Sequence, residues 1–250
     1  MKVSIITATY NSASTIRDTL ESVAKQTYSN IEHIIIDGLS KDNTLDIVKE
    51  YPHVEKVISE KDKGIYDAMN KGIRAATGDV VGILNSDDFY PHNNILKKVT
   101  EEFRIKKVNA IIGDILFVSP NNIKKVVRYY SAKRWKPSKF VKGYMPPHPS
   151  FFVYKKFYEQ LGVYQIDYKI AADYELLIRF LATNQLSYSY IPEAIVHMRA
   201  GGVSNESIKS RYVLNQEIVR ACKENGLNTN MLILSLKYVN KIFEYLPKIS

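Results

Sequence analysis

Two adjacent carboxylates, Asp87 and Asp88, follow an apolar run, Val80-Val81-Gly82-Ile83-Leu84, through Asn85 and Ser86. A run of that length and composition fits a buried parallel strand. In open α/β sheets, ligands settle just outside the carboxyl ends of the strands. Paired acids in such a place can hold a divalent cation against a phosphate. The plain alternative is a strand-ending turn, since Asp and the following Pro91 are common turn formers. Two other apolar runs also end in polar residues, in Thr7-Ala8-Thr9-Tyr10-Asn11 and in the segment from Asp37 to Thr44. Asp37 can accept hydrogen bonds from a base or a ribose, and Tyr10 offers a ring face for stacking.

These tips need a sheet to bring them together, and the periodicities supply one. Residues 3–7, 31–36, 54–58 and 80–84 read as strands. Ile16, Leu20 and Val23 recur at helical spacing after a loop, 11–14, whose side chains can cap the helix. Further helices carry Leu45 and Val48, and then Ala68 and Ile73, the latter closing near Gly78. Strands alternating with helices imply a parallel sheet, an α/β fold. Beyond residue 110 the pattern changes to two longer strands, 110–118 and 123–130, around Asn121-Asn122.

With 250 residues, 45% of them apolar, the chain can bury a substantial core. Its lone cysteine, Cys222, excludes an internal disulfide and a cysteine-based zinc cluster. No segment has the length of a membrane span or a signal-peptide core, which points to a cytoplasmic protein, soluble or bound to a surface. The net charge of +9 favours an anionic partner. From Ile115 to Tyr158 no acidic residue occurs, while Lys124, Lys125, Arg128, Lys133, Arg134, Lys136, Lys139 and Lys142 alternate with aromatic residues. A solvated basic face is the ordinary explanation, but so uncompensated a stretch also suits an anionic surface. The tail from Glu206 is helical in pattern, breaks at Asn225-Gly226, and resumes through Met231 to Leu246 as an apolar, lysine-bearing helix. Such a helix packs as core, dimerises, or lies in a membrane interface. No G-x-G-x-x-G follows the first strand and no P-loop occurs, so dinucleotide and P-loop functions lose their main support.

The motifs Ser4-Ile5-Ile6-Thr7-Ala8-Thr9-Tyr10-Asn11, Asp37-Gly38-Leu39-Ser40-Lys41-Asp42, Asp67-x-x-Asn70-Lys71-Gly72 and Asn85-Ser86-Asp87-Asp88 resemble family 2 glycosyltransferases of the GT-A fold. The likeness spans roughly the first 95 residues in order and spacing. It implies a Rossmann-like, mostly parallel central sheet flanked by helices, with a C-terminal helical extension. In that scheme residues 1–204 form the catalytic domain, with 1–95 binding the nucleotide sugar and 96–204 the acceptor, and 205–250 form the extension. By the same resemblance Ala8, Tyr10 and Asp37 meet the uracil of a UDP-sugar, and Asp67 lines the sugar diphosphate. Asn85 and Ser86 belong to the donor side, Asp87 is the metal-binding acid supported by Asp88, and Mn2+ or Mg2+ is the cofactor. Asn85 departs from the family's D-x-D element, which lowers the negative charge offered to the cation.

Downstream, Ala171-Ala172-Asp173-Tyr174-Glu175 opens a helix in which Asp173 fits a simple N-cap. The resemblance makes Asp173 the catalytic base, with Glu175 and His148, from Pro146-Pro147-His148-Pro149, on the acceptor side. It also likens Gly201-Gly202-Val203-Ser204 to a loop closing over the donor, and offers His197 as a further metal ligand. The expected reaction is inverting transfer of one sugar, forming a β-linkage, to a saccharide hydroxyl. The basic segment 124–142 and the C-terminal helix suggest a lipid-diphosphate acceptor, as in O-antigen or capsule assembly, met at the cytoplasmic face of the inner membrane. A homodimer is compatible with the tail. Two other functions share some of these features. A sugar-phosphate nucleotidyltransferase uses acids on a parallel sheet, but with a Gly-rich basic loop where Thr9-Tyr10-Asn11-Ser12 stands. A nucleic-acid-binding module explains the charge but not acids at strand ends, which repel phosphates, so nucleic acid is not the expected partner.

Overall fold

The apolar runs form strands whose tips all point the same way. The computed structural model of the chain describes residues 1–201 and 208–235. In it β1 (Val3–Thr9), β2 (Ile31–Asp37), β3 (Val54–Ser59) and β4 (Val80–Ile83) lie parallel in the order β3-β2-β1-β4. α1 (Ile16–Ala24), α2 (Thr44–Lys49) and α3 (Ile65–Ala75) make the crossovers that parallel neighbours require. Every residue of β1 and β4 is buried, including the polar Ser4, Thr7 and Thr9 of β1, whereas edge strand β3 exposes Glu55, Lys56 and Val57. Gly72 sets the depth of α3 on the sheet: a Cβ there would stand 2.3 Å from Ile6 Cγ2. Loop 11–14 does not cap α1 through a side chain. Its polar groups are spent on neighbouring strand tips instead.

The second half turns the sheet antiparallel and then adds one more parallel pair. After α4 (Ile95–Lys106) come β5 (Ala110–Ser119) and β6 (Asn122–Tyr130), an antiparallel pair. The short β7 (Phe152–Tyr154) lies antiparallel between β4 and β5 and joins the two halves into one eight-stranded sheet. β8 (Tyr188–Arg199) runs parallel to β5, from Ala110↔Tyr188 to Val118↔Arg199. Its register shifts between Gly113↔Ile191 and Asp114↔Ala194, where Pro192 cannot donate to the ladder. The result is an α/β fold, a mostly parallel mixed sheet flanked by helices.

α5 (Lys155–Leu161) and α6 (Ala172–Ile178) cover the sheet, and α6 runs on into a π-helical turn, Arg179–Thr183. α7 (Ile208–Glu224) adds Ile218, Ala221 and Cys222 to the cluster that holds Ile6, Met69, Phe140, Tyr174 and Phe180. The first helix of the expected extension therefore packs into the main core. It ends before Gly226, whose φ of +73° suits the break read there. Of the last helix only 231–235 is described, and Leu234 from it is fully buried. Residues 236–250 and the Gly202-Val203-Ser204 part of the glycine loop lie outside the described residues.

Candidate active site

The loop after β1 ties three strand tips together. Asn11 N–H donates to Ser40 Oγ at 2.8 Å, and Lys41 N–H donates to Asn11 Oδ1 at 2.8 Å. Ser12 N–H donates to Thr44 Oγ1 at 2.8 Å, and Ala13 N–H to Asp42 Oδ2 at 3.0 Å. The Ser12 and Ser86 hydroxyls meet at 2.8 Å, joining this loop to the tip of β4. Asp37 is fully buried and accepts from Ser59 Oγ at 2.6 Å and from Ser40 N–H at 3.1 Å. Tyr10 is 59% exposed beside it, with Ala8 buried behind. Asp62 closes over Gly38: a Cβ there would stand 2.5 Å from Asp62 Oδ2 and 3.5 Å from the Tyr10 ring, so Asp62 would have to turn away. Asp67, in the first turn of α3, accepts from Lys63 N–H at 3.0 Å and thereby shapes the loop that leads into the helix. The fold thus gathers Ala8, Tyr10, Asp37, Asn85 and Ser86 at neighbouring strand tips, as the motif order implies.

The two acids beyond β4 are unequal. Asp87 is partly buried, whereas Asp88 is fully buried and neither of its carboxylate oxygens has a hydrogen-bond partner. Burial raises the pKa of both, and the neighbouring Asp87 charge raises Asp88 further. Arg199, at the end of β8, opposes both shifts. It is 7% exposed, donates Nη1 to the Asp87 carbonyl at 2.5 Å, and pairs with the Asp18 carboxylate. The same strand end bonds the acid loop through Phe89 N–H to His197 O at 3.0 Å and the reciprocal 2.8 Å bond. His197 is held there by backbone and by ring contact with Phe89 at 5.4 Å.

Two observations bear on a cation. The oxygens Asn85 Oδ1, Asp88 Oδ1 and Asp88 Oδ2 are buried without partners, and unsatisfied hard oxygens at a strand tip suit Mg2+ or Mn2+. No group of three or more His, Cys, Asp or Glu side chains able to hold a metal occurs among the described residues. Both fit an ion that takes one or two protein carboxylates and fills its shell with phosphate and water. They give His197 no place in a preformed metal cluster.

Asp173 lies in the first turn of α6, where Oδ1 accepts the Tyr174 N–H at 2.8 Å. It is not the N-cap, a position held by Ala171. Oδ2 lies 3.1 Å from His148 Nδ1. Tyr66 of α3 donates to Ile170 O at 2.5 Å and stands 3.5 Å from Asp173 Oδ1. Burial and the Asp173 charge push the Tyr66 phenol up, so it stays protonated and serves as a donor. Asp67 is the next residue of α3, so one helix reaches both the donor-side loop and Asp173. Glu175 has a different task. It is 1% exposed and takes Arg179 Nε at 2.9 Å and Nη2 at 2.8 Å, while Arg179 also binds the carbonyls of Leu161, Gly162 and Val163. That buried pair anchors the 161–163 turn and withdraws Glu175 from the acceptor side.

Sequence patterns gave no sign of Glu217. From α7 it accepts the backbone N–H groups of Lys169, Ile170 and Ala171 at 2.7, 2.9 and 2.9 Å, fixing the segment that enters α6. The basic segment divides by burial. Trp135 and Phe140 belong to the core, whereas β6 exposes Val126 (56%), Val127 (55%) and Tyr129 (51%) among Lys124, Lys125 and Arg128.

The site therefore combines a mostly parallel sheet, two acids beyond the β4 tip, and a buried aspartate, Asp173, that contacts α3. The Glycosyl transferase family 2 model matches residues 4–161, and the chain belongs to that family. It is 28% identical over 84% of its length, and 82% of the relative's, to a PGL/p-HBAD biosynthesis glycosyltransferase of Mycobacterium tuberculosis. It is 31% identical over 71% of its length to an uncharacterized glycosyltransferase of the same species, covering 68% of that protein. Staphylococcus aureus TarS shares the fold with a TM-score of 0.72 at 21% identity. The match covers 98% of this chain and 44% of TarS. The mannosyltransferase PcManGT of Pyrobaculum calidifontis, solved with GDP-Man and Mn2+, gives 0.65 at 19% identity, covering 98% of this chain and 70% of that one. The protein is a glycosyltransferase of the GT-A fold.

Proposed function

We propose that the protein transfers one sugar from a UDP-sugar to a hydroxyl of a glycan acceptor with inversion, forming a β-linkage from an α-linked donor. The observation that carries this reading is the convergence of Asp37, Tyr10, Ser86 and Asp87 on strand tips tied to one loop, with Asp173 brought near by α3. Tyr10 supplies a ring for the uracil, Asp37 a fixed acceptor for its N–H, and Asp67 shapes the loop facing the diphosphate. TarS, which shares this fold, has been solved with UDP and with UDP-GlcNAc, which supports the same donor class here. Asp87, supported by Asp88, would hold Mn2+ or Mg2+. When bound, the cation offsets the charge that develops on the departing diphosphate.

The acceptor hydroxyl loses its proton to Asp173 as its oxygen attacks the anomeric carbon from the face opposite the diphosphate. No covalent enzyme intermediate is required. The exposed cations and apolar side chains of β6 favour an acceptor carried on a lipid diphosphate at an anionic membrane surface, as in O-antigen or capsule assembly. No described helix is long and apolar enough to cross a membrane, so contact through residues 124–142 would be peripheral. The test is a panel of UDP-sugars with Mn2+ or Mg2+, measuring UDP release with and without a GlcNAc- or GalNAc-diphosphate-lipid mimic. Acceptor-stimulated release is expected. Absence of binding and turnover with every nucleotide sugar would remove the assignment.

A further inference from the structure

The contact between His148 and Asp173 divides the proton-transfer task in a way that the motif alone does not show. Each oxygen of Asp173 already faces a donor: the Tyr174 N–H at 2.8 Å on Oδ1, and His148 Nδ1 at 3.1 Å on Oδ2. The Tyr66 hydroxyl, whose proton goes to Ile170 O, stands 3.5 Å from Oδ1. A carboxylate only accepts, so this contact fixes the imidazole proton on Nδ1 and leaves the lone pair on Nε2. Nε2 has no hydrogen-bond partner among the described residues. The imidazole is also the more open of the two side chains, 20% exposed against 12% for Asp173.

The support beneath His148 is stiff. The residue opens a 3₁₀ turn, His148–Ser150, between Pro147 and Pro149, whose rings fix their own φ angles. Ser150 Oγ lies 2.7 Å from both Pro147 O in this turn and Gly113 O of β5, sharing its one proton between them, and accepts Gly113 N–H at 3.1 Å. The ring is therefore held from both ends, by the turn and by Asp173.

Building on the glycosyl-transfer reading, we propose that His148 Nε2 takes the proton from the acceptor hydroxyl and that Asp173 is its positioning residue. The acceptor O–H bond breaks and its proton goes to Nε2. The oxygen pair forms the bond to the anomeric carbon, the bond from that carbon to the phosphate oxygen breaks, and its electron pair leaves with the nucleoside diphosphate. The imidazolium so formed faces the Asp173 carboxylate, which holds the ring orientation through the step.

The experiment compares His148→Ala, His148→Gln and Asp173→Asn in the full chain. UDP binding is measured by calorimetry, and UDP release with acceptor, or with water as the acceptor when no saccharide is turned over. His148→Ala is expected to keep UDP affinity and lower kcat by about 10²–10⁴-fold, with part of the rate returning on addition of imidazole. His148→Gln, which keeps a polar side chain for folding, is expected to be equally slow. In the His148→Ala background, adding Asp173→Asn should cost little more, because the two act as a unit. Turnover by either His148 variant within about tenfold of the parent, or no recovery with imidazole, overturns the assignment and returns the proton to Asp173. A parent chain that neither binds UDP nor releases it from any UDP-sugar overturns the transfer reading itself, and this assignment with it.

Discussion

Arg199 and Asp87 are joined side chain to backbone, with Nη1 of the arginine 2.5 Å from the aspartate carbonyl. The residues are 112 positions apart, and the bond puts a buried guanidinium under an acidic loop whose carboxyls burial pushes upward in pKa. The second arm of the fork is taken by Asp18 of α1, and the cation lies 5.4 Å from the centre of the Phe89 ring. One side chain thus fixes the loop, α1 and the end of β8 together. Arg199→Ala is expected to weaken Mn2+-dependent UDP binding by about 10–100-fold, as loss of groups orienting a metal ligand commonly does. Arg199→Lys keeps the charge but not the fork, and should fall between. Calorimetry of UDP with and without Mn2+ decides this; equal affinities in all three proteins would make Arg199 a packing residue only.

The inequality of the two acids gives a metal test. UDP with Mn2+ at about one hundred times its Kd should stabilise the chain by about 2.7 kcal/mol. For a domain of this size that is a rise in Tm of about 5–10 °C. A chelator, or Asp87→Ala, should remove the metal-dependent part and leave the smaller effect of UDP alone. Asp88→Asn should retain part of it, because the amide keeps one of the two buried, unpartnered oxygens. A metal-dependent shift of full size in Asp87→Ala would assign the ion to other residues.

Glu217 offers a way to separate the halves of the site. It is the shared acceptor for three consecutive backbone N–H groups, two residues before Asp173. Glu217→Ala is expected to cost about 1.5–3 kcal/mol, the range for a hydrogen bond to a charged group, and to depress transfer. UDP affinity should stay within about twofold, since the bonds of Glu217 run to the 169–171 segment; the loss belongs to the proton-transfer side, worth orders of magnitude more when complete. Parallel loss of UDP binding would show that α7 supports the whole domain rather than this segment.

The parallel half was legible because its strands are rich in Val and Ile, interrupted by polar residues such as Ser4, Glu32-His33 and Glu55-Lys56, and because β1, β2 and β4 end in recognisable polar strings. The places of Asp37 and Asp87 at strand tips and of Asp173 in a first helical turn could be read, since each borders a local pattern. β7 was not, because three residues carry no period. β8 was not, because Pro192 and a register shift interrupt its alternation. The partners were hidden for a different reason. Arg199 meets Asp18 across 181 positions, and Glu217 meets Lys169 across 48, and no local spacing encodes either contact. Glu175 shows the converse error: an acid at a promising helix start is consumed by Arg179 one turn later, an i,i+4 pair visible in the sequence. Of the basic segment, charge was read correctly as exposed on β6, but Trp135 and Phe140 are core rather than surface.

Acid should weaken the fold before it titrates ordinary carboxylates. His33 is fully buried, with Nε2 3.0 Å from Thr7 Oγ1 and Nδ1 3.1 Å from His53 Nε2. Burial, then the charge of His53, lowers its pKa to about 3. The unfolded chain therefore binds a proton below pH 6.5 that the folded chain refuses, and stability falls as pH drops from 6.5 towards 3. Between pH 6.5 and 5 this one residue accounts for up to about 2 kcal/mol, at about 1.4 kcal/mol per pH unit. Glu32 adds a separate, lower window. Burial pushes its carboxyl up, but Ser4, the Thr77 N–H and hydroxyl, and Lys2 outweigh that and bring it to about 2. Its contribution is complete above the ordinary glutamate value and is lost as pH falls from there through 2. Urea midpoints measured from pH 7 to 3 should decline in both ranges. His33→Gln should flatten the upper one and leave the lower, whereas an unchanged slope between pH 6.5 and 5 would place the acid sensitivity in His53 and His197, whose pKa values burial also lowers.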